Sequence, residues 1–270
     1  MRTISNFKFN TATFLSEGVF KITRKIRQDF SIAKVRKKLT NLVDDARVAI
    51  PEHLNQDQKL ELLIDLFYHQ WKFEAADGIY RTSDVIWLDN VLKIRQGTAT
   101  SLGVIFLHIA HQLDIPLMPV LFPIQLIFRA DWLDEEMWLI NPINGDTLNK
   151  HILELWVKAH FNQNITLEDS DLCESDNTSL IRQMLDELKS ALIEEKQMEL
   201  ALRTSDMSLF FDPKDPYEIR DRGLIYAELG CTQVAISDLN YFIEQCPEDP
   251  ISEVIKIQLN AIEKQPFILH

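Results

Sequence analysis

Arg95-Gln96-Gly97-Thr98-Ala99-Thr100-Ser101-Leu102 is the stretch on which the fold turns. Gly97 supplies flexible backbone, and Thr98, Thr100 and Ser101 are each good helix caps. Behind them Leu102, Ile105, Phe106, Ile109, Ala110 and Leu113 recur at helical spacing as far as Asp114, and Pro116 stops the helix. Two extended runs follow, Leu117 to Arg129 and Met137 to Asn141, separated by the acidic turn Asp131 to Glu136. Asn144-Gly145 marks a further turn. The order is helix, strand, turn, strand.

Upstream, Val19, Phe20, Ile22, Ile26 and Phe30 recur at helical spacing between charges and predict an amphipathic helix with a basic outer face. Helices Ala33 to Ile50 and Gln56 to Tyr68 follow, with Pro51 between them and Asn55 as N-cap. Residues 1–40 hold ten Lys/Arg against Glu17 and Asp29, a local balance of +8 in a chain of net charge −13, so the other 230 residues carry −21. The first reading of that basic face is docking on the acidic remainder of the same chain. The other is a surface for a partner or a nucleic acid, centred on Lys21, Arg24, Lys25 and Arg27.

Downstream, Glu168, Asp169, Asp171, Glu174 and Asp176 fall in a stretch of little apolar content that reads as a linker over residues 163–178. Beyond it the period is helical throughout. Asp212-Pro213-Lys214-Asp215-Pro216 and Cys246-Pro247-Glu248-Asp249-Pro250 lie 34 residues apart, as do Ala201 and Ala235, and that is the period of the tetratricopeptide helical hairpin. Gly223, Tyr226, Gly230, Ala235 and Pro247 fall at the small-contact, tyrosine, turn and terminating-proline positions of the second copy. The first copy, Leu180 to Pro213, keeps only Ala201 and Pro213, and Ile251 to Lys264 stands as a closing helix.

Composition removes several functions. Seven glycines, with Gly97 and Gly103 the closest pair, leave no phosphate-cradling loop of the P-loop or Rossmann type. Cys173, Cys231 and Cys246 are odd in number and lack C-x-x-C spacing, so they read as buried small hydrophobes rather than a disulfide or zinc framework. The most apolar segment, Val104 to Phe128, is broken by histidines, Asp114 and three prolines, which excludes a membrane span, and the chain reads as cytoplasmic. Neither a cofactor nor a metal is expected. His108 and His111 read as solvated or capping side chains. Arg95 and Arg129 read as internal partners of a carboxylate such as Asp89, or as anion-binding groups.

The order R-x-G, helix, F-P-x-x-hydrophobic-x-x-R on a strand, then hydrophobic-N-P-x-N-G, with tetratricopeptide-like helices behind, resembles the SirB-type proteins, bacterial relatives of transglutaminase-like domains. The resemblance implies an α+β class: a helix-rich transglutaminase-like, papain-like domain with a small antiparallel sheet over residues 1–162, then an all-α tetratricopeptide-like segment over residues 179–266. It also implies a role in regulating gene expression. In such a site a thiol opens the helix, a histidine on the next strand is the base, and an Asp or Asn beyond it orients the base. The resemblance places those roles at Ala99, Gln125 and Asn141. Ala99 has no nucleophile and Gln125 cannot exchange a proton near neutral pH, so the expectation is a non-catalytic domain that binds a protein or peptide. Two alternatives stand beside it: a hydrolase or transferase acting on amide bonds through Ser101, and nucleic-acid binding by the first forty residues. Arg95, Arg129 and Tyr226 join the basic helix as candidate partner contacts.

Overall fold

The structure, a computed structural model, describes residues 15–78, 81–132, 137–162 and 164–263. The described chain divides into two compact units: one takes residues up to Arg24 and Gln28–Met184, the other Lys25–Arg27 and the residues from Leu185 onward.

In the first unit, α1 (Leu15–Ile26) buries Val19, Phe20 and Ile22 and leaves Lys21 and Arg24 exposed, as its charge pattern requires. Glu17 accepts two bonds of 2.8 Å from the Arg36 guanidinium, which holds its carboxyl below the usual range. Arg36 lies on α2 (Ile32–Ala49), whose buried Val35, Leu39, Leu42, Val43 and Ala46 keep the spacing of one helix face. α3 (Gln56–Ile64) begins after Asn55, whose backbone N–H donates to Gln58 Oε1 at 3.2 Å, and continues as one π-helical turn, Asp65–Gln70, that buries Leu66, Phe67 and Tyr68. β1 (Glu74–Ala75) pairs in parallel with β2 (Gln96–Gly97), and α4 (Leu88–Ile94) lies between them.

α5 (Ala99–Gln112) is the central helix: every residue from Ala99 to Leu107 is buried, which explains why its sequence is apolar nearly all round. It packs on a four-stranded antiparallel sheet of β3 (Leu117–Leu121), β4 (Leu126–Asp131), β5 (Met137–Ile140) and β6 (Thr147–Leu148) in sequential order. The run Leu117 to Arg129, continuous by composition, is thus two strands. Pro123 has no N–H for a ladder, and the Phe122 N–H turns back to Val120 O at 3.0 Å, so the chain reverses between Phe122 and Gln125. The tip of the acidic turn, residues 133–136, lies outside the described residues.

α6 (Lys150–Phe161), capped by Asn149, sets Leu153 and Val157 against Val120, Ile127 and Leu139 of the sheet. Leu167 and Leu172 join that cluster. The Ser175 N–H donates to Pro119 O at 2.8 Å, and its hydroxyl accepts from the Leu121 N–H at 2.9 Å. Residues 164–178 are therefore held by two leucines in the sheet cluster and by a serine on β3, which their charge density conceals. The cysteines differ from expectation: Cys173 and Cys231 are exposed at helix ends, and Cys246, also at a helix end, is half-buried against the cluster of Leu239 and Phe242.

α7 (Asn177–Glu194) carries the division between the units, after Met184. The second unit continues through α8 (Met198–Phe211), α9 (Pro216–Glu228), α10 (Thr232–Gln245) and α11 (Pro250–Glu263). The 34-residue repeat has a mechanical basis. Asp215 accepts from the Tyr217 N–H at 3.0 Å and Asp249 from the Ile251 N–H at 2.8 Å, each just before a proline that opens a helix. At Gly223 a Cβ would stand 3.0 Å from Asp238 Cβ and 3.1 Å from Leu239, so any larger residue would make α10 give by a few tenths of an ångström. Gly230 takes the left-handed φ of +73° that the turn between them needs.

Candidate functional site

The start of α5 is a reciprocal cap. The Ser101 N–H donates to Thr98 Oγ1 at 3.2 Å, and the Thr98 N–H donates to Ser101 Oγ at 2.9 Å. Ser101 is fully buried and its hydroxyl donates to Val85 O at 2.7 Å. Gly97 is required here, since a Cβ would stand 2.5 Å from Ser101 Oγ. Ala99 is the first residue of α5 and is buried.

Gln125 and Asn141 are brought together by the antiparallel register of β4 and β5. Gln125 Nε2 donates to Asn141 Oδ1 at 3.0 Å, and the same oxygen accepts from the Ile143 N–H at 3.1 Å. The loop beyond Asn141 is anchored by the buried Tyr68 hydroxyl, which donates to Pro142 O at 2.7 Å; burial pushes this phenol upward. Gly145, at φ +77°, lies so close to Ile64 and Tyr68 that a Cβ would be 2.7 Å from each. The positions implied for base and orienter thus form a neutral amide pair at the mouth of a rigid loop. Such a pair can hold its own geometry and offer hydrogen bonds, and it has no group that takes and returns a proton near neutral pH.

The remaining candidates are distributed. Arg129 makes a bidentate pair with Asp131 at 2.8 and 2.9 Å and donates to Leu172 O at 2.9 Å, so its carboxylate is Asp131, its neighbour two residues on, and not Asp89. Arg95 caps α4 in the left-handed region at φ +64°, and its guanidinium lies 4.4 Å from the Phe73 ring centroid. Its Nη1 is buried without a hydrogen-bond partner, and burial pulls the guanidinium below its usual value. The left-handed cap turns this side chain onto the ring rather than along α4. Arg24 donates to Phe30 O at 3.3 Å, Lys25 stands 5.9 Å from the Phe210 ring, and Arg27 is half-buried. Tyr226, half-buried on α9, has Arg222 6.0 Å from its ring centroid. Of the helix histidines, His111 is exposed, as a solvated side chain would be, and His108 is half-buried. His108 Nδ1 is 2.9 Å from Ser16 Oγ and His111 Nε2 is 2.8 Å from Leu117 O; burial, with His111 beside it, holds His108 below its usual value against the pull of Glu17. Among the described residues no group of three His, Cys, Asp or Glu is arranged for a metal.

One cluster had escaped the sequence reading. Lys189, on α7, is almost fully buried, with Nζ 2.6 Å from Glu218 Oε1, 2.8 Å from Asp221 Oδ2 and 3.6 Å from Asp186 Oδ1. The available signal was a lysine among Leu185, Leu188 and Leu192 on an apolar helix face. Burial, with Asp186 adding, pushes Glu218 up to about 7 despite Lys189, while Asp221 and Glu218 raise Lys189 against the effect of burial. Lys189 and Asp221 line a groove of about 490 Å³ whose apolar surface includes Ile193, Leu224, Ala227 and Ile262.

This arrangement has a pH consequence. A carboxyl whose folded pKa lies above its unfolded value binds protons in the folded state, so its contribution is fully present below the unfolded value and is lost as pH rises to about 7. Between pH 4.5 and 7 this group should lower the unit's stability by roughly 1–3 kcal/mol, and Glu218→Gln should remove that slope. Urea melts of native and variant protein at four pH values test this; parallel curves would show that Glu218 does not titrate in that window.

Residues 33–186 match the model of the transglutaminase-like superfamily, and residues 188–260 match that of the tetratricopeptide repeat. Over its whole length, and the whole length of each relative, the chain is 53% identical to Protein SirB1 of Salmonella typhimurium and 52% identical to the UPF0162 protein YchA of Escherichia coli K12. It is 38% identical over 248 residues, 92% of each chain, to the UPF0162 protein of Vibrio cholerae. No solved structure matches it. A transglutaminase-like unit of helices around a small antiparallel sheet, followed by tetratricopeptide hairpins and matched end to end by these relatives, places the chain in the SirB1/UPF0162 family.

Proposed function

We propose that this protein is a cytoplasmic, non-catalytic interaction protein with a regulatory role, in which the transglutaminase-like unit is a scaffold and the helical hairpins take a segment of a partner protein. The observation that carries the reading is the Gln125–Asn141 amide pair at 3.0 Å. Acyl transfer of this kind needs a nucleophile, a base that accepts its proton and a group that orients the base. A methyl group stands at the first position and an amide at the second. The Ser101 hydroxyl does not fill the vacancy in this reading, because it is buried and donates to Val85 O. The groove beside Lys189 supports the binding half, since apolar surface with a few fixed polar groups is what stacked hairpins offer an extended or helical segment. No helix of the described residues is long and apolar enough to cross a membrane.

Two measurements test the halves separately. A fluorophosphonate probe should leave the native protein unlabelled at Ser101; a stoichiometric adduct there, absent from Ser101→Ala, would overturn the non-catalytic half. Partners cross-linked to the native chain should be lost from a Glu228→Lys, Gln258→Lys variant, whose two exposed substitutions fall on the groove lining. Full retention of those partners would remove the groove as the binding surface.

A further inference from the structure

The 34-residue repeat matches each residue of α11 to one of α9: Ile251 to Tyr217, Val254 to Arg220 and Ile257 to Gly223. On α9 these three positions meet α10. The Tyr217 ring lies 5.5 Å from that of Phe242, the Arg220 guanidinium lies 5.3 Å from the same ring, and a Cβ on Gly223 would be 3.0 Å from Asp238 and 3.1 Å from Leu239. On α11 the equivalents of Arg220 and Gly223 are bare, Val254 at 53% and Ile257 at 71% exposed, and Ile251 at 43% is as open as Tyr217 at 46%. Ile255, Leu259 and Ile262 meanwhile pack into the cluster of Leu239 and Phe242. Among the described residues no helix follows α11 as α10 follows α9. Val254 and Ile257 occupy the positions that α10 covers one repeat earlier, and Ile251 extends their stripe.

We propose that this stripe docks an amphipathic helix of a partner protein, lying on α11 as α10 lies on α9, with basic residues along its flanks. The charge argument selects the partner. Glu244, Glu248, Asp249 and Glu253 surround the start of α11, and the one basic residue of that helix, Lys256, is paired with Glu253 at 2.7 Å. Residues 185–263 carry seventeen acids against seven Lys/Arg, so a second copy of this unit would bring like charge to the same place. The replacement of Gly223 by Ile257 adds a size rule. Where α10 presents Asp238 and Leu239 to a glycine, the incoming helix must present a small residue to an isoleucine. None of the three stripe residues lines the groove beside Lys189, and the inference rests neither on that groove nor on the absence of catalysis.

The test uses the full-length chain and a fluorescein-labelled synthetic peptide of about sixteen residues, with leucines at i, i+3/i+4 and i+7 spacing, a central alanine and lysines elsewhere. A scrambled peptide of the same composition is the control for attraction by net charge. The ordered peptide should bind at least about tenfold more tightly than the scrambled one, and Val254→Ser with Ile257→Ser should abolish that preference with helicity unchanged. Equal binding of the two peptides, or a preference that survives the serine variant, would overturn the proposal. Two further results would also overturn it by naming a different occupant. A native dimer in sedimentation velocity that the serine variant dissociates would assign the stripe to a second copy. A Phe267→Ser, Leu269→Ser chain that binds the ordered peptide about tenfold more tightly than the native chain would assign it to residues 264–270.

Discussion

Lys189→Met is expected to lower the stability of the helical-hairpin unit by roughly 3–5 kcal/mol at pH 8. The ammonium is buried between Glu218 Oε1 at 2.6 Å and Asp221 Oδ2 at 2.8 Å, with Asp186 beyond; Asp221 also holds Arg220 Nη2 at 2.6 Å, so Glu218 is the carboxylate that depends most on this cation. Removing it leaves the buried Glu218 without its counter-ion, while Asp221 keeps Arg220. The sign with pH follows. Without the ammonium, the folded state can relieve the repulsion only by taking up protons, so the loss should be largest above pH 7 and should shrink on acidification. Adding Glu218→Leu to Lys189→Met should recover most of the deficit, because an apolar pair of similar volume needs no counter-ion. Urea unfolding of the native, single and double variants at pH 5 and pH 8 decides the matter. A single-variant loss below about 1 kcal/mol at pH 8 would mean that water reaches the cluster and that the ion pairs behave as surface pairs.

The second large effect concerns the other unit. Phe106 lies fully buried on α5, with ring centroids 5.0 Å from Phe67, 5.9 Å from Tyr68 and 5.2 Å from Phe128. It joins the central helix to the π-helical turn on one side and to β4 on the other. Phe106→Ala should therefore cost roughly 3–5 kcal/mol, through lost transfer energy and through a cavity that three other rings cannot collapse to fill. The loss should appear in hydrogen exchange as faster exchange of α5 and β4 amides together. A change under about 1.5 kcal/mol, confined to α5, would show that the ring cluster repacks and that the sheet does not depend on it.

Much of this architecture can be read locally. Asp215 and Asp249 announce helix starts because a short oxygen acceptor next to a helix-compatible segment satisfies orphan amides within a few residues, and Asn55 does so through its own N–H, which Gln58 accepts. The tetratricopeptide period shows because the same cap and the same proline recur at fixed spacing. The reading failed where local signals compete with packing. Pro123 divides one apolar run into two strands, and the acidic character of residues 163–178 hides Leu167 and Leu172, which the sheet cluster captures. Neighbours in sequence offer Arg95 a carboxylate or an external anion and give no sign of the ring it stacks on. Its left-handed backbone places it instead on Phe73.

The residue types at Ala99, Gln125 and Asn141, the basic start, the acidic remainder and the hairpin period are properties of the chain as written, because each depends on side-chain chemistry or on spacing within a turn or a repeat. Tertiary structure alone decided that Gln125 donates to Asn141 sixteen residues away, that Lys189 is enclosed by carboxylates some thirty residues further on, and that α11 leaves three aliphatic side chains uncovered. The reason is physical. Caps and periodicity are settled by energies exchanged between near neighbours, whereas burial and desolvation depend on which distant surface arrives, and no local pattern encodes that arrival.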